Sequence, residues 1–217
     1  MDVSEILYLL ATQSIGLDDP TDSDIVVFMR FINLVYIELL QEIIVQNPLL
    51  PVLNEKLDCT NGILSVPSKP IFFPRQVYNT TLNKPLIPTI VEKIISVDPN
   101  LTQIGIPNQW YYANGSINVY PITTSLLANN GGFGFRYIPE PSRLTKNSKS
   151  TDILIPSIFQ QILADGAAYY VFQSETGFRD DAKMKLAEFK WKKGKLKLFA
   201  YMKNISGNKN FSTFSYV

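Results

Sequence analysis

The sequence predicts an α+β fold: an antiparallel helical body made by the N- and C-terminal segments, an inserted proline-rich β subdomain, and an extended C-terminal arm. Three observations lead there. Apolar residues recur at helical spacing near both ends of the chain. Between those ends helical periodicity disappears and prolines accumulate, at 51, 67, 70, 74, 85, 88, 99, 107, 121, 139, 141 and 156. Two Asn-Gly pairs, Asn61-Gly62 and Asn114-Gly115, sit between strand-like runs, where a two-residue turn needs positive φ twice. The expected division is 1–50 and 154–204 for the helical body, 51–153 for the β subdomain and 205–217 for the arm.

Over residues 2–15, Val3, Ile6, Leu7, Leu10 and Ala11 predict one helix, with Asp2 or Ser4 as its cap and Gly16 past its end. Thr21 or Asp22 caps a second helix, and the crowded aspartates suit the positive end of its dipole. That helix should run to about Gln46, its stripe formed by Ile25, Phe28, Met29, Ile32, Val35, Tyr36, Leu39 and Ile43, before Asn47-Pro48 stops it. Residues 62–66, 92–97, 110–113, 117–120 and 133–138 read as strands. Pro156 opens another helix, with Ile158, Phe159, Ile162, Leu163, Ala167, Tyr170 and Val171 on one face and Gly177 to close it. Gly166-Ala167-Ala168 invites another backbone to come close. A last helix over 179–193 should turn Ala182, Leu186 and Phe189 inward and break or kink at Gly194. From Ile205 onward the chain is polar and aromatic, too weak in propensity to stand alone.

With 217 residues the chain can bury a real core. Its net charge of +1 gives no overall pull toward nucleic acid or acidic lipid. Histidine is absent, which removes Ser-His and Cys-His pairs, histidine-ligated zinc and the usual general base near neutral pH. Cys59 is alone, so an internal disulfide or a cysteine zinc site is excluded. No enzyme activity, metal or cofactor is expected. The first ten residues lack the positive start of a secretion signal. The apolar stretch 25–45 carries Arg30, Asn33, Glu38 and Glu42, so neither a membrane span nor a membrane partner is expected.

Charge is distributed unevenly. Residues 1–60 hold ten acids against two bases, and residues 178–217 hold ten bases against three acids. Asp18, Asp19, Asp22 and Asp24 form the acidic counter-surface. Lys183, Lys185, Lys190, Lys192, Lys193, Lys195 and Lys197 form a basic one. These faces either neutralise each other within one subunit, join neighbouring copies head to tail, or face DNA phosphates. The aspartates lack calcium-loop spacing and read better as helix caps. Gly131-Gly132-Phe133-Gly134-Phe135 fits no phosphate-binding pattern and marks a flexible loop entering a strand. Trp110, Tyr111, Tyr112 and Tyr120 read as β core and cross-strand pairs. Phe211, Phe214 and Tyr216 suit an arm that orders in a partner's groove. A nucleic-acid-binding protein using the basic C-terminal helix and a carbohydrate-binding β module are the alternative readings.

One ordered set of pieces carries a resemblance. Gly105-Ile106-Pro107, Tyr111-Tyr112, Gly115-Ser116-Ile117-Asn118-Val119-Tyr120-Pro121, Arg136-Tyr137-Ile138-Pro139 with Leu144, Ile155-Pro156 with Phe159, and Ala167-Ala168-Tyr169-Tyr170 follow one another. Their order and spacing resemble the head-to-tail adaptor (connector) proteins of tailed bacteriophages, above all the tubular or ring adaptors of podovirus type. The proline-rich run 48–88 and the glycine loop 129–134 depart from that pattern. The resemblance implies a structural virion protein, assembled in the bacterial host cytoplasm as a ring of about twelve copies beneath the portal protein. It would extend the DNA channel, pass double-stranded DNA without sequence readout and join the tail or nozzle protein. The C-terminal segment would then be the portal-binding arm.

Overall fold

Reciprocal capping starts the first helix. The backbone N–H of Asp2 donates to the Glu5 carboxylate at 2.9 Å, and helix α1 runs Val3–Tyr8. In the computed structural model, which describes residues 1–44, 50–123, 132–174 and 178–206, the chain then widens into a π-helix over Leu9–Ile15. The single α-helix expected over 2–15 is therefore corrected. Bonding from i to i+5 widens the turn, and Leu10, Ala11 and Ile15 along it are buried. Gly16 ends the turn at φ +83°, and its N–H and that of Leu17 both donate to the Ala11 carbonyl. Helix α2, Asp22–Ile43, opens on Thr21: the hydroxyl of Thr21 accepts from the Asp24 N–H, and the Asp24 carboxylate accepts from the Thr21 N–H. Phe28, Ile32, Val35, Tyr36, Leu39, Leu40 and Ile43 line its buried face, while Ile25 and Met29 are only half-buried. The expected extension to Gln46 lies outside the described residues.

These helices belong to one of two units, Met1–Leu50 with Ser142–Val217; the other is Pro51–Pro141. The stretch 142–153, expected with the β subdomain, clusters with the helices instead. Its bonds explain why. The Asn33 side chain donates to the Leu144 carbonyl at 3.0 Å and accepts from the Leu144 N–H at 2.8 Å. The Ser150 N–H donates to Asp2, and the Leu154 N–H donates to the Tyr36 hydroxyl. Leu144, Ile153 and Ile155 are buried. A short 3₁₀ turn, Ser157–Phe159, leads into helix α4, which spans Gln161–Gln173 (α3, Val91–Ile95, belongs to the other unit). That turn leaves Ile158 70% exposed, against the expectation that it faces inward. Buried Gln160 anchors the junction by donating to the carbonyls of Ser150 and Ile155. The expected stop at Gly177 lies outside the described residues.

α4 lies at the centre of this unit, packing on α1, the π-turn, α2 and helix α5, which runs Asp181–Ser206. Small side chains make this possible: Ala164, Gly166, Ala167 and Ala168 are all buried. A Cβ on Gly166 would stand 2.7 Å from the Val35 side chain and 2.9 Å from Trp191 Nε1. Gly194 does not break α5, which continues for twelve more residues; a Cβ there would meet Ile162 at 3.0 Å. The inward face of α5 is Ala187, Trp191, Leu198 and Met202. Ala182, Leu186 and Phe189, expected inward, are exposed.

In the second unit, two sheets enclose one core. The first orders β1 (Leu53–Leu57), β9 (Phe133–Pro139), β4 (Ile71–Asn79) and β5 (Lys84–Pro85), all antiparallel. The second orders β2 (Cys59–Thr60), β3 (Ile63–Leu64), β8 (Ser116–Tyr120), β7 (Gln109–Ala113) and β6 (Ile87–Pro88), with β6–β7 the parallel pair. Both Asn-Gly turns have positive φ at both residues, +50° and +80° at Asn61-Gly62, +52° and +74° at Asn114-Gly115. Alternation along β9 buries Phe133, Phe135 and Tyr137, which meet Leu57, Val77, Trp110, Ile117 and Val119. Gly134 sits inside β9, within the strand expected over 133–138, and the Tyr78 ring lies across it in the place of a Cβ. The Tyr78 hydroxyl donates to Asn54 on β1, bridging three strands.

Residues 92–97 form no strand: α3, Val91–Ile95, runs into a turn at 96–97 and packs Ile94 against Tyr111 and Tyr120. Just after it, Asp98 accepts from the Gln103 N–H at 2.8 Å and from the Tyr120 hydroxyl at 3.0 Å. The Gln103 N–H holds its carboxyl below the usual carboxylate range, helped by Tyr120. A depressed folded-state pKa stabilises above the unfolded value and ceases to as pH falls through the folded one. Asp98→Asn should therefore lower the urea midpoint at pH 7, with the difference from wild type closing as pH drops below about 4. A difference unchanged between pH 7 and pH 3.5 would remove this linkage. For the helical unit, Gly166→Val should cost about 2 kcal/mol, because overpacking outweighs a helix-propensity gain of a few tenths. Urea unfolding followed by circular dichroism checks it; a neutral or stabilising result would refute the close contact.

Candidate assembly surfaces

α5 has two unlike faces. On the packed face, Trp191 stacks near Tyr169 and Tyr170, with ring centroids 5.4 and 5.6 Å away. Lys195 reaches over the Trp191 ring at 4.5 Å and ends 2.8 Å from the Glu42 carboxylate on α2. Beside them the Tyr170 hydroxyl is pushed up to about 12 by burial, then by its bond to Glu38. Asp165, partly buried on α4, is raised by desolvation, with Lys190 pulling the other way. The opposite face presents Leu186, Phe189 and Leu196, exposed by 55, 63 and 71%.

The seven lysines singled out by sequence divide into two groups. Lys183 donates to the Ile15 carbonyl at 3.1 Å, a favourable place for a cation at a helix C-terminus. Lys192 pairs with Glu188 one turn away, and its pKa is raised by that bond. Lys195 is held by Glu42 and Trp191 as described. Lys185, Lys190, Lys193 and Lys197 are exposed around the apolar stripe, Lys193 lying 5.8 Å over Phe189.

The acidic residues lie at the start of α2 and before it. Asp18, Asp19 and Asp22 are exposed, and Asp24 is used in the Thr21 cap. Among the described residues none of the four forms an ion pair with the α5 lysines. Asp18 edges a groove of about 330 Å³ lined by Leu7, Tyr8, Ala11, Ile25 and Phe28, with Lys146 also at its edge. The sequence places the acids but not this groove, whose walls come from α1, the π-turn, α2 and residues 146–147.

The β unit carries a second groove, about 430 Å³, lined by Val66, Pro67, Pro70, Ile71 and Tyr112. Its loop is held by Glu55, which accepts from the N–H and hydroxyl of Ser68 and from the Tyr137 hydroxyl. Burial works against that carboxylate's charge, yet these hydrogen bonds keep it below its ordinary value. Trp110, Tyr111 and Tyr120 are buried as expected, whereas Tyr112 is half exposed at this groove. Cys59 is buried on β2, and burial raises its thiol. Among the described residues, no cluster of three or more His, Cys, Asp or Glu side chains could hold a metal ion, and no helix is long and apolar enough to cross a membrane. Phe211, Phe214 and Tyr216 lie outside the described residues.

Apolar stripes and grooves edged with opposite charge, presented on a helical unit with a β unit inserted in it, define a protein whose chemistry is that of surfaces. The family model described as SU10 adaptor protein matches residues 1–202, and the chain belongs to that family of bacteriophage head-to-tail adaptors. No curated protein matches the chain. The family is a structural one, not a class of enzymes, and its members are virion components that join portal and tail proteins.

Two lysine groups imply two responses. Lys195→Ala should lower unfolding stability by about 1 kcal/mol, since it loses an ion pair and a cation–π contact together. Lys190→Ala and Lys197→Ala should stay within about 0.5 kcal/mol of wild type. Equal losses in all three, measured by urea unfolding, would contradict this division.

Proposed function

We propose that this adaptor assembles as a ring of about twelve copies under the portal, extends the DNA channel and joins the tail or nozzle protein. The observation that carries this reading is the match to the adaptor family over residues 1–202. It is supported by the separation of an acidic surface from a basic one that, among the described residues, it does not neutralise. Helical elements form the ring, and the segment 205–217, with Phe211, Phe214 and Tyr216, docks into the portal. DNA passes through the lumen and meets backbone charge alone, so no base is read. Assembly takes place in the host cytoplasm.

Sedimentation of the full chain with and without portal protein tests the reading. A largely monomeric adaptor should shift to a multi-copy complex on adding portal, and an unchanged profile would defeat the proposal. Deleting residues 205–217 should leave the circular dichroism spectrum intact and abolish portal docking; retained docking would refute the arm.

A second reading rests on the exposed Lys185, Lys190, Lys193 and Lys197. A DNA-binding protein would retain duplex DNA in a steeply salt-dependent way without portal present. Under the adaptor reading that binding is weak or missing even at low salt.

A further inference from the structure

We propose that the exposed stripe of α5 docks into the acid-edged groove between the first helical segment and α2 of the next copy, so that one contact of unlike faces repeats around the ring. The proposal rests on the ring reading above and assigns its subunit contact.

Ala182, Leu186, Phe189, Lys193, Leu196 and Ala200 lie within about 80° of one another around α5. Trp191 and Leu198, on the far side, already face α4 or its neighbours in the same unit and are buried. The stripe is therefore a second apolar face that, among the described residues, its own subunit leaves exposed. An apolar row of this kind, rimmed by polar groups, marks an interaction surface. Its rim is cationic: Lys190 and Lys197 on one side, Lys185 on the other. Two such stripes meeting about a two-fold axis would bring like charges together, so the stripe does not pair with itself.

The complementary surface lies elsewhere in the same unit. Tyr8, 64% exposed, lines the groove together with Leu7, Ala11, Ile25 and Phe28. Asp18 stands at the edge of this groove with Lys146, and Asp19 and Asp22 are exposed in the turn that continues from it into α2; Lys183 near by is already engaged by the Ile15 carbonyl. An apolar row edged by lysines fits an apolar groove edged by aspartates. Both belong to every copy and lie on different elements, so the contact is head to tail and propagates until it closes. Phosphates alone would use the lysines and leave Leu186, Phe189 and Leu196 exposed, which argues for protein over DNA as the occupant.

Mass photometry of adaptor mixed with portal separates the possibilities. Lys190→Glu with Lys197→Glu, and Asp18→Lys with Asp19→Lys, should each reduce multi-copy occupancy at least tenfold. The four changes in one chain should restore it. If wild type forms multi-copy rings and both reversals do too, the contact is wrong and the ring reading stands. If wild type never gathers on portal, the ring reading fails. The contact is then judged by cross-linking without portal at high protein concentration. A chain carrying Leu196→Cys and Tyr8→Cys should give a disulfide ladder beyond the dimer, with each single change giving none; buried Cys59 does not compete. Dimers from Leu196→Cys alone, or no ladder from the double change, would overturn the proposal. Loss of DNA retention by the lysine reversals with rings unaffected would do the same.

Discussion

The helical unit depends on how close its neighbours can come to α4. Gly166 allows Val35 of α2 and Trp191 of α5 within a distance that a single methyl group would forbid. With Ala164, Ala167 and Ala168 around it, the axis of α4 sits near several helices at once. Tight packing of this sort is worth more than the conformational cost of a glycine in a helix, about 1 kcal/mol. The aromatic group of Tyr169, Tyr170 and Trp191 and the Lys195–Glu42 pair both follow from that approach. α5 is then buried along one face, and among the described residues its other face stays exposed.

Much of this was legible where a local rule had no competitor. Asn-Gly between alternating large residues demanded type I′ turns, and both form. Thr21, one of the two caps expected, starts α2, and Gly166 admits a close approach, though by the side chains of Val35 and Trp191 and not by another backbone. Failures came where two rules gave opposite answers. Residues 92–97 are rich in β-branched side chains, yet packing of Ile94 on Tyr111 and Tyr120 favours a helical turn. β4 was hidden by Pro74, a residue that argues against an interior strand. It is tolerated because β5 pairs only with Tyr78 and Asn79, leaving β4 an edge at Pro74, and because the register slips on both sides of it.

The surfaces were harder to read than the elements. α5 carries two apolar rows, and periodicity alone does not say which is the core. Volume decides: Trp191 and Met202 are buried and Gly194 makes room for Ile162, whereas Leu186 and Phe189 stay exposed among the described residues. Stretch 142–153 lacks any period, and its place in the helical unit is set by single hydrogen bonds such as Asn33 to Leu144. The uneven charge was plain from composition, but its division into lysines spent within the subunit and lysines left outside needed side-chain positions. The family over residues 1–202 was accessible through the order of short motifs, none of which is specific alone.

The continuity of α5 through Gly194 has a mechanical consequence. At 26 residues the helix is a rod about 39 Å long. A pull on the chain that follows Ser206 is delivered along the rod's axis. Ala187, Trp191, Leu198 and Met202 grip it at successive turns, so the load is shared in shear across several contacts and not taken one contact at a time, as in peeling. A break at Gly194 would have put a hinge in that line of force. The uninterrupted helix makes it a tie-rod between the segment at its end and the centre of its own unit.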